Sequence, residues 1–228
     1  MNTLCIDVGG SGIKAITLDG RGKVVHDRVR IETPQPATPQ ACLAVMEELA
    51  SGQGTFGRVS VGFPGVVVEG VTRSAPNLHP TWAGFPLAAE LEQRLGKPVR
   101  AANDAGVQGL GVIEGKGVEA VITLGTGMGF GLYVDGRYVP NIELAHHPFR
   151  NRKTYEDRVG NAALEQVGKK RWRARVGQVI EQLAPILNYR KLYVGGGNGR
   201  LLDPGALPEN VVVVDNLAGL IGGLRLWR

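Results

Sequence analysis

The apolar and turn-forming positions of this chain fall into one pattern that occurs twice. Leu4-Cys-Ile-Asp-Val-Gly-Gly-Ser-Gly-Ile-Lys-Ala-Ile-Thr-Leu-Asp-Gly-Arg21 aligns without a gap on Ala120-Val-Ile-Thr-Leu-Gly-Thr-Gly-Met-Gly-Phe-Gly-Leu-Tyr-Val-Asp-Gly-Arg137. Ile6 falls on Ile122, Gly9 on Gly125 and Asp19-Gly20 on Asp135-Gly136. Each copy reads as an apolar strand, a glycine-rich turn, a second strand and an Asp-Gly turn, which is a β-hairpin. Glycine lets such a turn approach a ligand closely. A row of backbone N–H groups there suits phosphate oxygens. Two copies predict two related domains.

The remaining pattern alternates strands and helices. Lys23 to Ile31 reads as a strand, and the prolines of Thr33-Pro-Gln-Pro-Ala-Thr-Pro39 make a loop. Gln40 to Ala50 reads as a helix with Leu43, Met46 and Leu49 on one face, ended at Ser51-Gly52. Arg58 to Phe63 is a strand, Val66 to Val71 another mostly apolar run, and Pro86 to Leu95 a helix stopped at Gly96. Val99 to Ala102 is a short strand with Asn103-Asp104 at its C-terminal end, where open α/β sheets put their chemistry. Asp104 to Glu114 reads as a helix. So do Thr154 to Val167 and Lys169 to Leu187, the last with Val176, Ile180, Leu183 and Leu187 on one face. Lys191 to Gly197 is a strand entering a glycine turn, Val211 to Val214 a buried strand, and Asn216 to Arg228 a closing helix.

Composition narrows the class. With 228 residues, 43% of them apolar, the chain builds a packed core. Its 34 glycines are about twice the usual ~7% share and cluster in motifs, which points to turns and ligand contact. The net charge of +5 favours anionic partners, although a basic soluble protein without such a partner fits as well. Cys5 and Cys42 provide neither a disulfide framework nor a metal spacing. No signal segment or membrane-length apolar run is apparent, so a cytoplasmic protein with no membrane partner is expected.

Two constellations carry candidate chemistry. In Asp7-Val-Gly-Gly-Ser-Gly, the glycines and Ser11 suit phosphate, and Asp7 suits Mg²⁺ held through water. The competing reading is a plain hairpin turn, and the repeat at Leu124-Gly-Thr-Gly-Met-Gly129 favours the functional one. Neither loop is a Walker motif. Asn103-Asp104 suits a general base, the role an Asp plays in protein kinases. Asn and Asp are equally the preferred helix N-caps, and from the residues alone the cap is the better reading. The basic run Lys169-Lys-Arg-Trp-Arg-Ala-Arg175 reads first as a solvated helix face over a buried Trp172, and second as a contact for a long polyanion. Few aromatics and no helix-turn-helix argue against nucleic acid.

Seven motifs in fixed order carry a resemblance. They are Asp7-Val-Gly-Gly-Ser-Gly-Ile-Lys14, Gly62-Phe-Pro-Gly65, Ala75-Pro-Asn-Leu78, Asn103-Asp-Ala105, Thr123-Leu-Gly-Thr-Gly127, Glu143-Leu-Ala-His146 and Val194-Gly-Gly-Gly197. Together they resemble the ROK family of sugar kinases. Val139 to Glu143 and the surroundings of Lys170-Arg-Trp172 resemble its polyphosphate-glucokinase branch. The resemblance implies an α/β protein of the actin-like ATPase (ribonuclease H-like) fold. It implies a smaller N-terminal domain, 1–102 plus 216–228, and a larger one, 103–215, with a hexose held between them. The implied reaction moves a phosphoryl group from ATP or polyphosphate, with Mg²⁺, to the primary hydroxyl of a hexose, expected to be glucose.

Residue by residue, the resemblance makes Asp104 the catalytic base and Asn77, Asn103, Glu143, His146 and Glu156 the ligands of sugar hydroxyls. Gly9, Gly10, Ser11, Lys14, Gly125, Thr126 and Gly127 would hold the transferred phosphates. Gly195, Gly196 and Gly197 would meet a nucleotide or the far end of the donor. The cysteine-rich zinc loop of many relatives is replaced by Asn151-Arg-Lys153, so no zinc is expected, and Ala145 stands where a glycine is usual. A homodimer is expected. The alternative function is a catalytically degenerate sugar- or nucleotide-binding regulator.

Overall fold

The computed structural model describes residues 1–214 and 219–227. The chain divides into two compact units. The first is Met1–Gly111 with the C-terminal helix Gly219–Arg225, and the second begins at Val112.

The first unit is built on β1 (Thr3–Val8), β2 (Ile13–Leu18) and β3 (Val24–Ile31), followed by α1 (Pro39–Ser51) and β4 (Arg58–Phe63). After these come β5 (Val67–Val68), β6 (Val71–Thr72), α2 (Leu87–Leu95), β7 (Val99–Asn103) and α3 (Asp104–Leu110). The sheet order is β3-β2-β1-β4-β7, antiparallel through the hairpin and parallel from β1 to β7. Alternation along β1 sends Leu4, Ile6 and Val8 into a core with Leu43 and Met46 of α1 and Leu87 and Leu91 of α2. Cys5 joins Ile16 and Leu18 on the opposite face. The C-terminal helix covers that face at close range. A methyl group at Gly223 would lie 2.8 Å from Cys5 Sγ, and one at Gly222 would lie 1.7 Å from the Val107 carbonyl oxygen. The Ser60 hydroxyl donates to the Gly223 carbonyl at 2.6 Å.

The second unit repeats this plan. It contains β8 (Val118–Leu124), β9 (Met128–Val134), β10 (Arg137–Val139), β11 (Pro148–Arg150), β12 (Lys153–Thr154), α4 (Tyr155–Val159), α5 (Asn161–Leu187), β13 (Lys191–Gly195) and β14 (Val211–Val213). Its sheet order is β10-β9-β8-β13-β14, again a hairpin joined to two parallel strands. The duplicated sequence pattern is therefore a duplicated sheet. Trp172, Val176, Ile180 and Leu183 of α5 pack on Ala120, Ile122, Leu192 and Val194.

The structure corrects several boundaries. The run Val66 to Val71 is a small hairpin of β5 and β6, turned at Glu69 (φ 52°) and Gly70 (φ 77°). Helix α3 ends at Leu110, capped by the N–H of Gly111, before Glu114. The helix expected over Thr154 to Val167 breaks at Gly160, whose backbone is extended because it closes on the turn at Thr126. The break between Val167 and Lys169 is present, at Gly168 with φ 75° and ψ 161°. The domain division was expected at Ala102. Residues 103–111 fall in the first unit, because α3 packs on β4, β7 and the C-terminal helix. Residues 216–218 and 228 of the expected closing helix lie outside the described residues.

Candidate functional site

In the first unit, the site is built from the turn between β1 and β2 and the C-terminal ends of β4 and β7. The turn closes with the Gly9 N–H donating to the Gly12 carbonyl at 3.1 Å. The N–H groups of Gly10 and Ser11, both exposed, donate to no group among the described residues. They are open donors of the kind that bind anions. Two residues pin the turn from outside. Buried Thr33 donates its hydroxyl to the Gly9 carbonyl at 2.5 Å, and Arg30 Nη2 donates to the Ser11 carbonyl at 2.6 Å. A methyl group at Gly12 would lie 2.3 Å from Arg30 Nε, so the guanidinium lies flat on that glycine. Exposed Asn77 stands beside Gly10.

The sheet register then lines up charges. Asp7 pairs with Lys14, and Lys14 with Arg30, in one row across β1, β2 and β3. Lys14 Nζ lies 2.9 Å from Asp7 Oδ2. On the other side of Asp7 the row continues to Gly62. A methyl group at Gly62 would lie 3.5 Å from Asp104 Cα and 3.7 Å from Asp7 Oδ1. Gly62 thus lies between the Asp7 carboxylate and the Cα and Cβ of Asp104, and Asp7, Gly62 and Asp104 line one small cavity. Cys5 lines it too, but burial pushes its thiol up to about 12, so no thiolate chemistry arises there.

The cap reading falls to Asn103, and Asp104 follows it as the first residue of α3. Asn103 is the N-cap: its Oδ1 accepts from the Gly106 N–H at 3.2 Å, and its Nδ2 donates to the Gly65 carbonyl at 3.2 Å. Asp104 is the first helical residue, half-buried, and its Oδ1 accepts from the Ala105 N–H at 2.7 Å.

The second unit presents an equivalent edge. The turn at Gly125, Thr126 and Gly127 closes with the Gly125 N–H on the Gly127 carbonyl at 3.0 Å, and the exposed Thr126 N–H is open among the described residues. Glu156 sits against this turn. Its Oε2 accepts from the Met128 N–H at 3.1 Å, and a methyl group at Gly127 would come within 2.1 Å of it. The glycine run after β13 seals the other side. Gly196 has φ 86°, and a methyl group there would lie 2.2 Å from the Leu124 carbonyl oxygen, so only glycine fits. Asn198 Nδ2 donates to the Gly125 carbonyl at 3.4 Å and to Asn161 Oδ1 at 3.3 Å. Glu143 precedes the short 3₁₀ turn Leu144–His146 and His146 ends it, with Oε2 and Nε2 3.7 Å apart and both side chains exposed.

The first unit thus gathers Asp7, Gly9, Gly10, Ser11, Lys14, Asn77, Asn103 and Asp104. The second gathers Gly125, Thr126, Gly127, Glu156 and Gly195 to Gly197, with Glu143 and His146 as a neighbouring pair. Sequence reasoning missed Arg30, Thr33, Asn161 and Asn198. Only the in-register pairing of Lys14 with Arg30 marks the first of these, and no local pattern carries it. Among the described residues no group of three or more His, Cys, Asp or Glu side chains is arranged to hold a metal, and no helix is long and apolar enough to cross a membrane.

The ROK family profile matches residues 3–140. A protein named polyphosphate glucokinase from Mycobacterium tuberculosis (strain CDC 1551 / Oshkosh) is 32% identical over 95% of this chain and 88% of its own length. The solved structure of an inorganic polyphosphate/ATP-glucomannokinase from Arthrobacter sp. strain KM superposes with a TM-score of 0.87 at 30% identity, over 100% of this chain and 99% of that one. A ROK family glucokinase from Streptomyces griseus, at 21% identity and a TM-score of 0.80 over 99% of each chain, shares the fold. The chain belongs to the ROK family. Its fold is the α/β actin-like ATPase fold.

Proposed function

We propose that this protein is a hexose kinase that transfers a phosphoryl group from ATP or inorganic polyphosphate to the primary hydroxyl of a hexose, with glucose as the expected acceptor. The observation that carries this reading is the pair Asp7 and Asp104, lining one cavity on either side of Gly62 beside a turn with open N–H groups. The similarity to proteins named polyphosphate glucokinase and polyphosphate/ATP-glucomannokinase supports it.

In this reading Asp104 is the base. The hydroxyl oxygen forms a bond to the terminal phosphorus, and the bond from that phosphorus to the bridging oxygen of the donor breaks. The hydroxyl proton passes to the Asp104 carboxylate, and the donor leaves one phosphate shorter. Little covalent chemistry falls to the protein, so positioning and charge stabilisation dominate. The turn N–H groups of Gly10, Ser11 and Thr126, with Lys14 and Arg30, hold phosphate oxygens. Gly195 to Gly197 face the remainder of the donor. Asn77, Asn103, Glu143, His146 and Glu156 bind sugar hydroxyls, and groups directed at hydroxyls reject analogues that lack them.

Mg²⁺ fits the donor set. It needs one or two carboxylates and otherwise water and phosphate oxygens, and Asp7 keeps Oδ1 on the Gly62 side while Oδ2 holds Lys14. Asp7 would hold the ion through water, and the ion would neutralise donor charge. The same reading places the protein in the cytoplasm as a homodimer without zinc or a nucleic-acid partner. The test is a panel of hexoses against ATP and polyphosphate, scored for the sugar phosphate. No phosphorylated sugar from any combination would refute it.

A further inference from the structure

One group of cations in the second unit has no acidic counterpart among the described residues. Arg158 lies on α4, while Arg171 and Arg175 lie four residues apart on one face of α5. The buried indole of Trp172 donates to the Val159 carbonyl at 2.8 Å, which ties α5 to α4 beside Arg158 and Arg171. None of the three arginines has a carboxylate within 4.0 Å among the described residues. Nearby acids are engaged elsewhere: Asp157 accepts from the Thr154 N–H at 2.9 Å, and Glu165 accepts from Asn161 Nδ2 at 2.6 Å. Arg158 Nε is buried and has no hydrogen-bond partner among the described residues. Its guanidinium carbon lies over the Phe149 ring, 5.9 Å from the centroid. Burial, and then the charges of Arg158 and Arg171, lower the pKa of Arg175. Exposed Lys169 and Lys170 extend the same charge along α5.

Like charges held together without acids await an anion, and arginine forks match phosphate oxygens in pairs. The position of the cluster indicates which anion. Helix α4 carries Glu156, bonded to the second glycine turn, and ends at Gly160, which packs on the Thr126 carbonyl. Five residues of helix span about 7.5 Å, so the cluster lies one short element from that turn. A single-stranded nucleic acid would want exposed aromatic faces for its bases, but Trp172 is fully buried and Phe149 lies under Arg158.

We propose that Arg158, Arg171 and Arg175 form a distal anion site that takes the trailing phosphates of a linear polyphosphate chain. This rests on the donor reading above. ATP has no such trailing chain, so the site acts on one donor and not on the other.

The test compares wild type with Arg171→Gln/Arg175→Gln, using glucose with long-chain polyphosphate, tripolyphosphate and ATP. The expected result is a KM for the long chain raised at least fivefold, with KM for tripolyphosphate and ATP changed less than twofold. The salt dependence of the long-chain KM should also become shallower, since fewer counterions are released. A long-chain KM within twofold of wild type overturns the proposal. Should the double variant fold poorly by circular dichroism, Arg171→Gln alone decides, with at least a twofold rise expected and no change refuting. If wild type makes no sugar phosphate from polyphosphate, the donor reading fails. The site is then judged by calorimetric binding of the long chain: a tenfold loss in the variant sustains it and equal affinity overturns it. Tighter binding of single-stranded DNA than of polyphosphate of equal charge overturns it in favour of nucleic acid.

Discussion

Replacing Asp104 by Asn separates the chemical step from everything else the residue does. Asp104 Oδ1 accepts the Ala105 N–H at 2.7 Å, and an amide oxygen can accept the same bond. The N-cap of α3 is Asn103, through Gly106, so the helix start does not depend on a charge at 104. The substitution adds no volume to the gap at Gly62. What it removes is the ability to take a proton. Loss of a positioned general base costs about 100- to 10,000-fold in rate, or ~3–5 kcal/mol of barrier. The assay pairs turnover by a coupled sugar-phosphate measurement with glucose affinity by calorimetry and melting temperature. The expected outcome is kcat lower by at least 100-fold, glucose affinity within about threefold of wild type and an unchanged melting temperature. Turnover within tenfold of wild type would refute the assignment of Asp104 as base. Loss of glucose affinity in step with turnover would make it a binding residue instead.

Three further outcomes follow from other parts of the molecule. Gly127→Ala places a methyl group 2.1 Å from Glu156 Oε2 and must push that carboxylate off the Met128 N–H. A hydrogen bond to a charged group is worth ~1.5–3 kcal/mol, so steady-state kcat/KM should fall about 10- to 100-fold. Wild-type values would show that Glu156 does not set the turn. Arg30→Gln should raise KM for the phosphoryl donor about fivefold while leaving KM for glucose unchanged. Equal effects on both substrates would mean that Arg30 merely braces the turn. Glu119 is fully buried and accepts from the N–H groups of Glu114, Gly115 and Lys116 and from the Tyr193 hydroxyl. Burial raises its pKa, but these donors together outweigh burial and hold it below the usual value. Its stabilisation is therefore present above the unfolded pKa of about 4.3 and is lost as pH falls through the lower folded value. Glu119→Gln should lower the melting temperature at pH 7 by about 6–12 °C, from ~3 kcal/mol of mismatched donors, and flatten the loss of stability below pH 4. An unchanged acid limb would exclude Glu119 as its source.

The elements were largely legible in the chain because burial writes itself into local periodicity. The alternation in Leu4, Ile6 and Val8 and the face of Val176, Ile180 and Leu183 each record which side meets a core. The duplicated hairpin is legible for the same reason, since both copies solve one packing problem. Boundaries failed where a distant group sets them. Gly160 breaks a helix because it must clear Thr126, and α3 stops at Gly111 before the loop whose N–H groups Glu119 collects.

Chemistry separates in the same way. Sequence by itself determined the two glycine turns and the Asn103-Asp104 pair, because those depend on residue type over a few adjacent positions. Tertiary structure alone decided that Arg30 and Thr33 pin the first turn, that Gly62 lies between Asp7 and Asp104, and that Arg158, Arg171 and Arg175 lie together without a paired acid among the described residues. These are contacts across strands and between helices. Their partners are chosen by register and packing, and a sequence records register only through the many side chains that must be buried at once.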